Sequence, residues 1–372
     1  RGASDKSGRT FNNPYQYFFE QMHMDDAIYA DESIYEYPMQ QGGGNDGRPY
    51  SFGRPSSGGS KAAYPCKSYG QGRINPAYFY GIFDPNDMRR DVSITMTGSN
   101  GKGVEKLIPF VPNSKAEGGG LTLNKWDENR QANPWVAAQR KSGINGPYMR
   151  MSEVYLGYAE VCAALGDVVT GKQYLKTVRE RSFPQGLADT DGFIASFGND
   201  LVRAIIEERG FEYAGEGDRR WTLIRSGYLP EDIKRIKDMT KAMMDGLATK
   251  GYYEFENGNI ISAYIWTKLV DAKTIYGHRL TAQCPTDKVN DPVLYPGWRG
   301  QKDNWEEMGL NYGSSTPATN LAIKGLFEIV SEEEAASLES QGYTKVNWGI
   351  DLVDNRDEYD KYLFWDYDYV SA

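Results

Sequence analysis

Histidine and cysteine are scarce in this sequence, and their scarcity excludes several kinds of site. Only His23 and His278 occur among 372 residues, and neither lies near residues that would complete a metal site or a catalytic triad. A serine hydrolase or a His-rich metalloenzyme would therefore lack its usual base or ligands. The three cysteines are too few and too scattered for a disulfide scaffold or a thiolate zinc site; they are Cys66, Cys162 and Cys284. A single disulfide between Cys66 and Cys284 is still compatible with the sequence.

Excess positive charge and long apolar runs are missing as well. The 42 Lys and Arg residues are outnumbered by 51 Asp and Glu residues, which leaves a net charge of -9. This balance provides no field that would attract nucleic acid or anionic lipid. The sequence has no apolar run of about 18 residues, no signal-peptide core and no Met before Arg1, so we expect it to be part of a longer protein.

Aromatic residues, in contrast, are abundant, with 27 Tyr, 14 Phe and 8 Trp. Core packing accounts for part of them, and Tyr and Trp rings also suit surfaces that are apolar on one side and hydrogen-bonding on the other. Residues 1–146 are rich in Gly, Pro, Ser and Asn, with short apolar runs at 33–37 and 106–111, which predicts loops and short strands. The stretch 40–72 predicts one long loop of the kind that often carries function.

Hydrophobic periodicity predicts a helical block over residues 147–250. Apolar residues recur at helical spacing from Met151 to Leu165, with Cys162 on the buried side and Gly166 at the end. The remaining predicted helices lie around Leu175, behind an Asn199 N-cap, around Trp221 up to Gly227, and from Pro230 to Gly251. The apolar stripe of the last helix comprises Ile233, Ile236, Met239, Met243, Met244 and Leu247.

Residues 156–178 have the pattern of one helical-hairpin repeat of the tetratricopeptide type. Gly166 and Asp167 form the predicted turn, Gly171 is the small residue of the second helix and Leu175 the bulky one. One such unit cannot close a core alone, so either later helices and loops cover it or companion repeats lie outside this sequence. Beyond it, residues 252–261 predict a β-hairpin with a type I′ turn at Asn257-Gly258.

Several strings in the helical block resemble hallmark sequences of the SusD/RagB family. They are RMSEVYLGYAE at 150–160, VRER at 178–181, IEERGFE at 206–212, and EGDRRW at 216–221 followed by LIR at 223–225. Weaker similarity is carried by ESIYE at 32–36 and by residues 84–89, which are similar to the family's Asp-Pro-Arg element with an insertion. The tail, which reads YLFWDY at 362–367, departs from the Leu-hydrophobic-Pro-Ile-Pro segment common in the family.

The resemblance implies one mainly α-helical domain over residues 1–372, with extensive loops, short strands and tetratricopeptide-type hairpins as its frame. This domain has a loop-rich and strand-rich part at 1–146, the helical block at 147–250 and a mixed part at 251–372. The family's first repeats and lipid-bearing cysteine are expected to lie outside the sequence. The implied function is capture of glycan, or sometimes peptide, on the extracellular face of the outer membrane by a lipoprotein that delivers it to a SusC-like TonB-dependent transporter. No catalysis, cofactor or nucleic-acid partner is implied.

Three glutamates in and after the third predicted helix allow two interpretations. Glu208, Glu212 and Glu216 are spaced four residues apart, on one face of a continuous helix. The arginines within reach are Arg209, Arg219, Arg220 and Arg225. The first interpretation is an ion-pair network that braces the frame. The second is the acid and base of a glycosidase, which need roughly 5 to 10 Å between carboxyl groups across a cleft and one raised pKa that arginines would oppose.

The predicted ligand site lies in the loops before the helical block. Its aromatic residues are Tyr50, Phe52, Tyr64, Tyr69 and Trp126, and its polar partners are Arg48, Arg54 and Arg73. Rings flanked by hydrogen-bonding groups suit the apolar faces and hydroxyls of sugars, whereas packing is the competing explanation for each ring taken singly. A second candidate patch comprises Tyr295, Trp298, Trp305 and Tyr312.

Other functions and one metal pattern compete with this prediction. A glycoside hydrolase of the same nutrient system is the enzymatic alternative, and a repeat protein whose aromatic loops bind only the transporter is the structural one. Residues 189–192 (DTDG) have the opening spacing of a calcium loop, but the later acidic ligand is out of register. An Asx-type turn at Asp189 is therefore predicted, with no metal site.

Overall fold

The computed structural model describes residues 3–4, 10–11, 14–23, 32–39, 47–57, 67–99, 105–107, 120–127, 143–271 and 319–349. This part of the chain is mainly helical with short strands, as predicted. The helices are α1 (Pro14–His23), α2 (Gly47–Phe52), α3 (Arg89–Ser93), α4 (Met151–Ala164), α5 (Val168–Arg181), α6 (Thr190–Ala195), α7 (Leu201–Glu212), α8 (Asp218–Ser226), α9 (Leu229–Lys250) and α10 (Glu332–Ser340). A π-helical turn spans Tyr78–Ile82.

The strands form small sheets between and around the helices. They are β1 (Ala3–Ser4), β2 (Thr10–Phe11), β3 (Ser33–Tyr37), β4 (Ser56–Ser57), β5 (Lys67–Ser68), β6 (Ile94–Thr95), β7 (Thr97–Ser99), β8 (Glu105–Leu107), β9 (Thr122–Leu123), β10 (Gly146–Arg150), β11 (Tyr252–Glu254), β12 (Ile260–Ser262), β13 (Tyr264–Asp271), β14 (Thr319–Lys324) and β15 (Thr344–Asn347). The two larger sheets have the orders β5-β4-β7-β8 and β14-β13-β15. The pairs β1-β2, β3-β10, β6-β9 and β11-β12 are all antiparallel.

The predicted helical hairpin is formed by α4 and α5. Asp167 caps α5 by accepting a 3.1 Å hydrogen bond from the Thr170 amide, and Gly166 adopts the positive φ that lets the chain turn. Gly171 permits the close approach, because a Cβ there would lie 3.0 Å from the Ala159 carbonyl oxygen. Leu175 is fully buried, so the small and bulky positions of the repeat are confirmed.

The buried face of α4 differs from the predicted apolar stripe. Ser152, Leu156, Ala159 and Cys162 are buried, whereas four apolar residues at the predicted spacing are exposed by 40%, 46%, 50% and 82%, namely Met151, Val154, Tyr158 and Leu165. The prediction is confirmed for Ala159 and Cys162 and is wrong for these four. Ser152 enters the interior because a hydrogen bond compensates its hydroxyl, which pattern reading by hydrophobicity alone misses.

The start of α7 also needs correction. Its N-cap is Asp200, whose carboxylate accepts from the Arg203 amide at 3.0 Å, and not Asn199, which has a positive φ of 66°. Asn199 is instead the residue that turns the chain out of the short α6, which periodicity did not predict. Asp189 caps α6 by accepting from the Gly192 amide at 2.8 Å, which agrees with the predicted local side-chain turn.

Helices α8 and α9 end at glycine residues. Gly227 and Gly251 adopt left-handed conformations after α8 and α9, as predicted, and Pro230 lies in the first turn of α9. The hairpin of β11 and β12 is confirmed, but its turn is not type I′, because only Gly258 of the predicted pair has a positive φ. Asn257 donates to the Tyr80 and Phe83 carbonyl oxygens at 3.1 and 2.8 Å, which ties the hairpin to the π-helical turn.

Residues before the helical block contain helices that were predicted as loop or strand. In α1, Tyr15, Phe18 and Phe19 are buried at helical spacing and pack with Trp126 in one core cluster. The prediction of one continuous loop over 40–72 is likewise wrong where α2 lies. A second cluster joins α4, α5, α6 and α7, and the largest joins the π-helical turn, α7, α9 and the C-terminal strands. No helix in the described ranges is long and apolar enough to cross a bilayer.

Candidate functional site

The three glutamates of the helical block lie inside the protein as part of an ion-pair network. The side chains of Glu208 and Glu212 are fully buried, and that of Glu216 is 8% exposed. Glu208 and Glu212 belong to α7, whereas Glu216 lies in the turn before α8, so the three do not share one continuous helix as predicted. A buried carboxylate is tolerated only when it is paired and hydrogen-bonded, which these contacts provide.

The cations of this network come from far along the chain. Glu208 pairs with Arg89 at 2.6 Å and with Arg179 at 2.9 Å. Glu212 pairs with Arg89 at 3.0 Å, with Arg150 at 2.7 Å and with Arg181. Glu216 pairs with Lys125 at 2.6 Å and with Arg150 at 2.8 Å.

The interpretation as a bracing network is therefore confirmed, but the predicted partners were wrong. Arg209 pairs with Asp218 at 2.5 Å, Arg219 with Glu207 at 2.8 Å and Arg225 with Glu160 at 2.5 Å, while the Arg220 side chain is exposed. Local spacing on a helix could not reveal partners that lie in other elements.

The electrostatics of the network oppose acid–base catalysis. Burial alone would raise the pKa of Glu212, but Arg181, Arg150 and Arg89 hold it well below the ordinary value. Burial likewise favours a raised pKa for Glu207, yet Arg219 and Arg235 lower it to about 2. Both carboxylates are thus ionised at neutral pH and have no proton to donate as a general acid. Burial lowers the pKa of Lys125 to about 8, with Glu216 opposing the effect.

Three residues of the predicted ligand site lie in the interior. Trp126, Tyr50 and Arg54 are exposed by only 3%, 5% and 1%. The Trp126 ring packs with α1. The backbone carbonyl oxygen of Trp126 accepts a hydrogen bond from the Arg54 backbone amide at 2.8 Å. Arg54 donates to the Thr97 hydroxyl at 3.2 Å and lies 3.7 Å from the Asp127 carboxylate. In this structure these three side chains make contacts inside the protein, and they do not present a ring or a charge to solvent.

Three other residues of the prediction reach the surface. Phe52 is 45% exposed at the end of α2, Tyr69 is half-buried and Arg73 is exposed. The backbone joins the segment of Tyr69 to the end of α2, because the Tyr69 amide donates to the Tyr50 carbonyl oxygen at 2.9 Å and the Gln71 amide to the Ser51 carbonyl oxygen at 2.7 Å. The Tyr69 ring also meets the Tyr50 ring edge-on, with 4.9 Å between their centroids. We call Phe52, Tyr69 and Arg73 the loop site.

The remaining predicted residues cannot be placed. Arg48 lies in α2, but its side chain is outside the described part of the structure. Tyr64 falls outside the described residues, as do Cys66 and Cys284, for which a disulfide was considered. The whole second patch falls outside them as well. The second patch comprises Tyr295, Trp298, Trp305 and Tyr312.

Sequence reasoning missed an exposed cluster of tyrosines on the sheet of β3 and β10. Tyr35, Tyr37 and Tyr148 are exposed by 49%, 53% and 68%. The Tyr148 ring lies 5.5 Å from that of Tyr35 and 6.3 Å from that of Tyr37. Glu36, between Tyr35 and Tyr37, is buried, and its carboxylate accepts from the Asn145 side-chain Nδ2 at 2.9 Å. Two tyrosines two residues apart in a predicted strand share a face, so this signal was present in the sequence.

Metal ligation has no support within the described ranges. They contain no group of three or more His, Cys, Asp or Glu side chains arranged to hold an ion. Asp189 uses its carboxylate to cap α6 instead.

Comparison with known proteins identifies one family. The model described as the SusD family matches residues 2–296, which is most of the chain. A SusD-like protein from Formosa agariphila is 28% identical over 160 residues, which is 43% of this chain and 26% of that protein.

Solved structures similar to this chain include two Bacteroides thetaiotaomicron proteins. A SusD homolog has a TM-score of 0.44 at 18% identity, covering 63% of this chain and 48% of that chain. Surface glycan-binding protein A in complex with laminarihexaose has a TM-score of 0.40 at 19% identity, covering 58% and 47%. The matches thus cover about half of each of these solved chains and about a quarter of the curated relative.

Proposed function

This chain belongs to the SusD family, and from that premise we propose that it is a non-catalytic glycan-binding protein that captures oligosaccharide at the surface of the cell. The family match over residues 2–296 is the observation that carries the proposal. The full-length protein would be a lipid-anchored protein of the outer membrane that hands its ligand to a SusC-like TonB-dependent transporter.

The arrangement of charge and rings supports binding over catalysis. The carboxylates that could have formed an acid–base pair are buried and paired with basic side chains, and three arginines hold the pKa of Glu212 well below its ordinary value. Phe52 and Arg73 of the loop site are exposed, and Tyr69 is half-buried. Rings can stack on the apolar faces of sugars while a guanidinium donates to hydroxyl oxygens, which gives recognition without bond cleavage.

The direct test is binding of oligosaccharides by the intact chain. Calorimetric titration would use α-glucan, β-glucan, mannan, galactan, chitosan and galacturonan fragments. The variant Phe52→Ala should weaken binding of a bound fragment about tenfold, which is the loss of roughly one stacking contact. Tyr264→Ala is the matched control, since Tyr264 is similarly exposed (40%) but belongs to strand β13 and not to the loop site. It should leave binding unchanged.

Two outcomes would contradict the proposed function, and a third would contradict only the assignment of the loop site. Binding of basic, acidic or neutral peptides with no binding of any fragment would indicate peptide capture instead. Release of reducing sugar from the parent polysaccharides would indicate a hydrolase. Equal affinity of the Phe52→Ala variant and the unsubstituted chain would remove the loop site from the proposal while leaving glycan binding itself standing.

A further inference from the structure

A groove separate from the loop site lies between α6, α7, α9 and the hairpin of β11 and β12. It encloses about 750 Å³, which is within the range of small-molecule binding sites. The π-helical turn closes one end with Gly81 and Ile82. The groove plays no part in the loop site, because none of Phe52, Tyr69 and Arg73 lines it.

Aromatic rings form much of its wall. Phe193 and Phe197 of the α6 region meet edge-on with 5.3 Å between centroids, and the Phe211 ring lies 6.1 Å from that of Phe193. On the opposite side, Tyr253 and Phe255 meet edge-on at 4.8 Å. Phe211 and Phe255 are buried, while the other three rings are partly open and can contact a ligand.

Charge in the groove is predominantly negative. Five acidic residues line it, against Arg179 and Arg235. The acidic residues are Asp84, Asp189, Glu207, Asp238 and Glu256. Both arginines are already paired, Arg179 with Glu208 at 2.9 Å and Arg235 with Glu207 at 2.8 Å. Asp189, Asp238 and Glu256 are exposed at the rim, and Asp238 pairs with Lys234. Within the described part of the chain, Asp189 and Glu256 form no salt bridge.

One buried donor in the wall lacks an acceptor. Arg179 is 3% exposed, and its guanidinium carbon lies 3.9 Å from the centroid of the Phe193 ring. Its terminal nitrogen donates to Glu208, but within the described part of the chain its Nε has no hydrogen-bond partner. Buried polar groups of this kind are rarely left unsatisfied, so the groove beside Arg179 is a place where an incoming oxygen atom would be stabilised.

From this combination we propose that the groove is a second saccharide subsite, one that accepts neutral or amino sugars and rejects uronate and sulfated sugars. The proposal rests on the proposed function and adds a place and a charge preference to it. Carboxylates at the rim accept hydrogen bonds from sugar hydroxyls, the open rings contact the apolar faces, and the Arg179 Nε donates to a ring or hydroxyl oxygen. A carboxylate or sulfate on the sugar would instead meet like charges at short range.

The test uses a Phe52→Ala background, in which binding at the loop site should be about tenfold weaker. Calorimetric titration would use neutral glucan, mannan and galactan trisaccharides, chitosan trisaccharide and trigalacturonate. At least one uncharged or amino trisaccharide should bind and trigalacturonate should not. Ser196→Trp places a large ring at an exposed position that lines the groove, and should weaken trisaccharide binding about tenfold by occupying the space.

Charge preference is tested with a pair of double variants. Asp238→Asn with Glu256→Gln should raise the affinity for trigalacturonate about fivefold or more, because two like charges are removed from the rim. The control is Asp245→Asn with Glu254→Gln, which neutralises exposed carboxylates of α9 and β11 that do not line the groove. The control should bind every probe as the unsubstituted chain does.

The failures can be told apart. If glycan binds the unsubstituted chain but Ser196→Trp has no effect in the Phe52→Ala background, the groove is not a subsite and the proposed function stands. If trigalacturonate binds as well as the neutral probes, the charge preference is wrong. If no saccharide binds the unsubstituted chain at all, the proposed function fails together with the groove.

Discussion

Glu212 shows what a single buried charge contributes to this protein. Its carboxylate accepts from Arg89, Arg150 and Arg181, which come from three different segments of the chain. Glu212→Gln keeps the shape but removes from the interior the one negative charge that these three guanidinium groups share. We expect a loss of about 3–5 kcal/mol in the free energy of unfolding, measured by urea denaturation. Glu254→Gln, at an exposed position of β11, is the control and should shift the midpoint little.

A small effect of Glu212→Gln, below about 1 kcal/mol, would show that the network adds little to stability.

Glu212 also shows a limit of prediction from the sequence. The partners Arg89 and Arg150 lie 123 and 62 residues away, so the motif predicted an ion network but not its members. For the same reason Trp126 and Arg54 were placed in the ligand site, although their contacts with α1 and Thr97 bury them.

At the scale of elements, the contact between α4, α5 and α7 depends on a glycine. A Cβ on Gly171 would lie 3.0 Å from the Ala159 carbonyl oxygen and 3.1 Å from Leu201 Cδ2, so Gly171→Ala requires the helices to move apart. We expect a net loss of about 1–2 kcal/mol, since overpacking outweighs the helical preference of alanine. Gly157→Ala is the matched change on α4, where a Cβ meets open space, and should gain about 0.5–1 kcal/mol.

Thermal unfolding of the two glycine variants measures this difference directly. If Gly171→Ala raised the midpoint as much as Gly157→Ala, the close packing of the hairpin would be refuted. The comparison matters because Gly171 was predicted as the small position of a helical repeat from spacing alone.

Elements with strong local signals were predictable, and those that depend on distant contacts were not. Helices α5, α8 and α9 and the end of α4 followed from periodicity and from terminal glycines such as Gly227 and Gly251. The short helices α1, α2 and α6 were missed, because few turns form without tertiary packing and the surrounding Gly and Pro residues predict loop. In the loop site, exposure of Phe52 and Tyr69 depends on how the chain folds around α2, which no spacing rule supplies.

Across the whole molecule, buried ionised carboxylates link stability to pH. The folded pKa of Glu207 is about 2 against an ordinary 4.5, and that of Glu212 is also well below its ordinary value. A depressed folded pKa contributes stability that is fully present above the unfolded value and is lost as the pH falls toward the folded value. Stability should therefore decline from about pH 4.5 toward pH 2, with Glu207 accounting for about 3 kcal/mol of the loss.

Urea unfolding at a series of pH values from neutral to acidic tests this expectation, with Glu207→Gln as the informative variant. Glutamine cannot titrate, so this variant starts less stable at neutral pH but should lose less stability on acidification than the unsubstituted chain. Parallel pH profiles for the two proteins would contradict the assignment of a depressed pKa to Glu207. Profiles that converge toward pH 2 would instead show that Arg219 and Arg235 hold this carboxylate ionised in the folded protein, and that its pairing joins α7, α8 and α9.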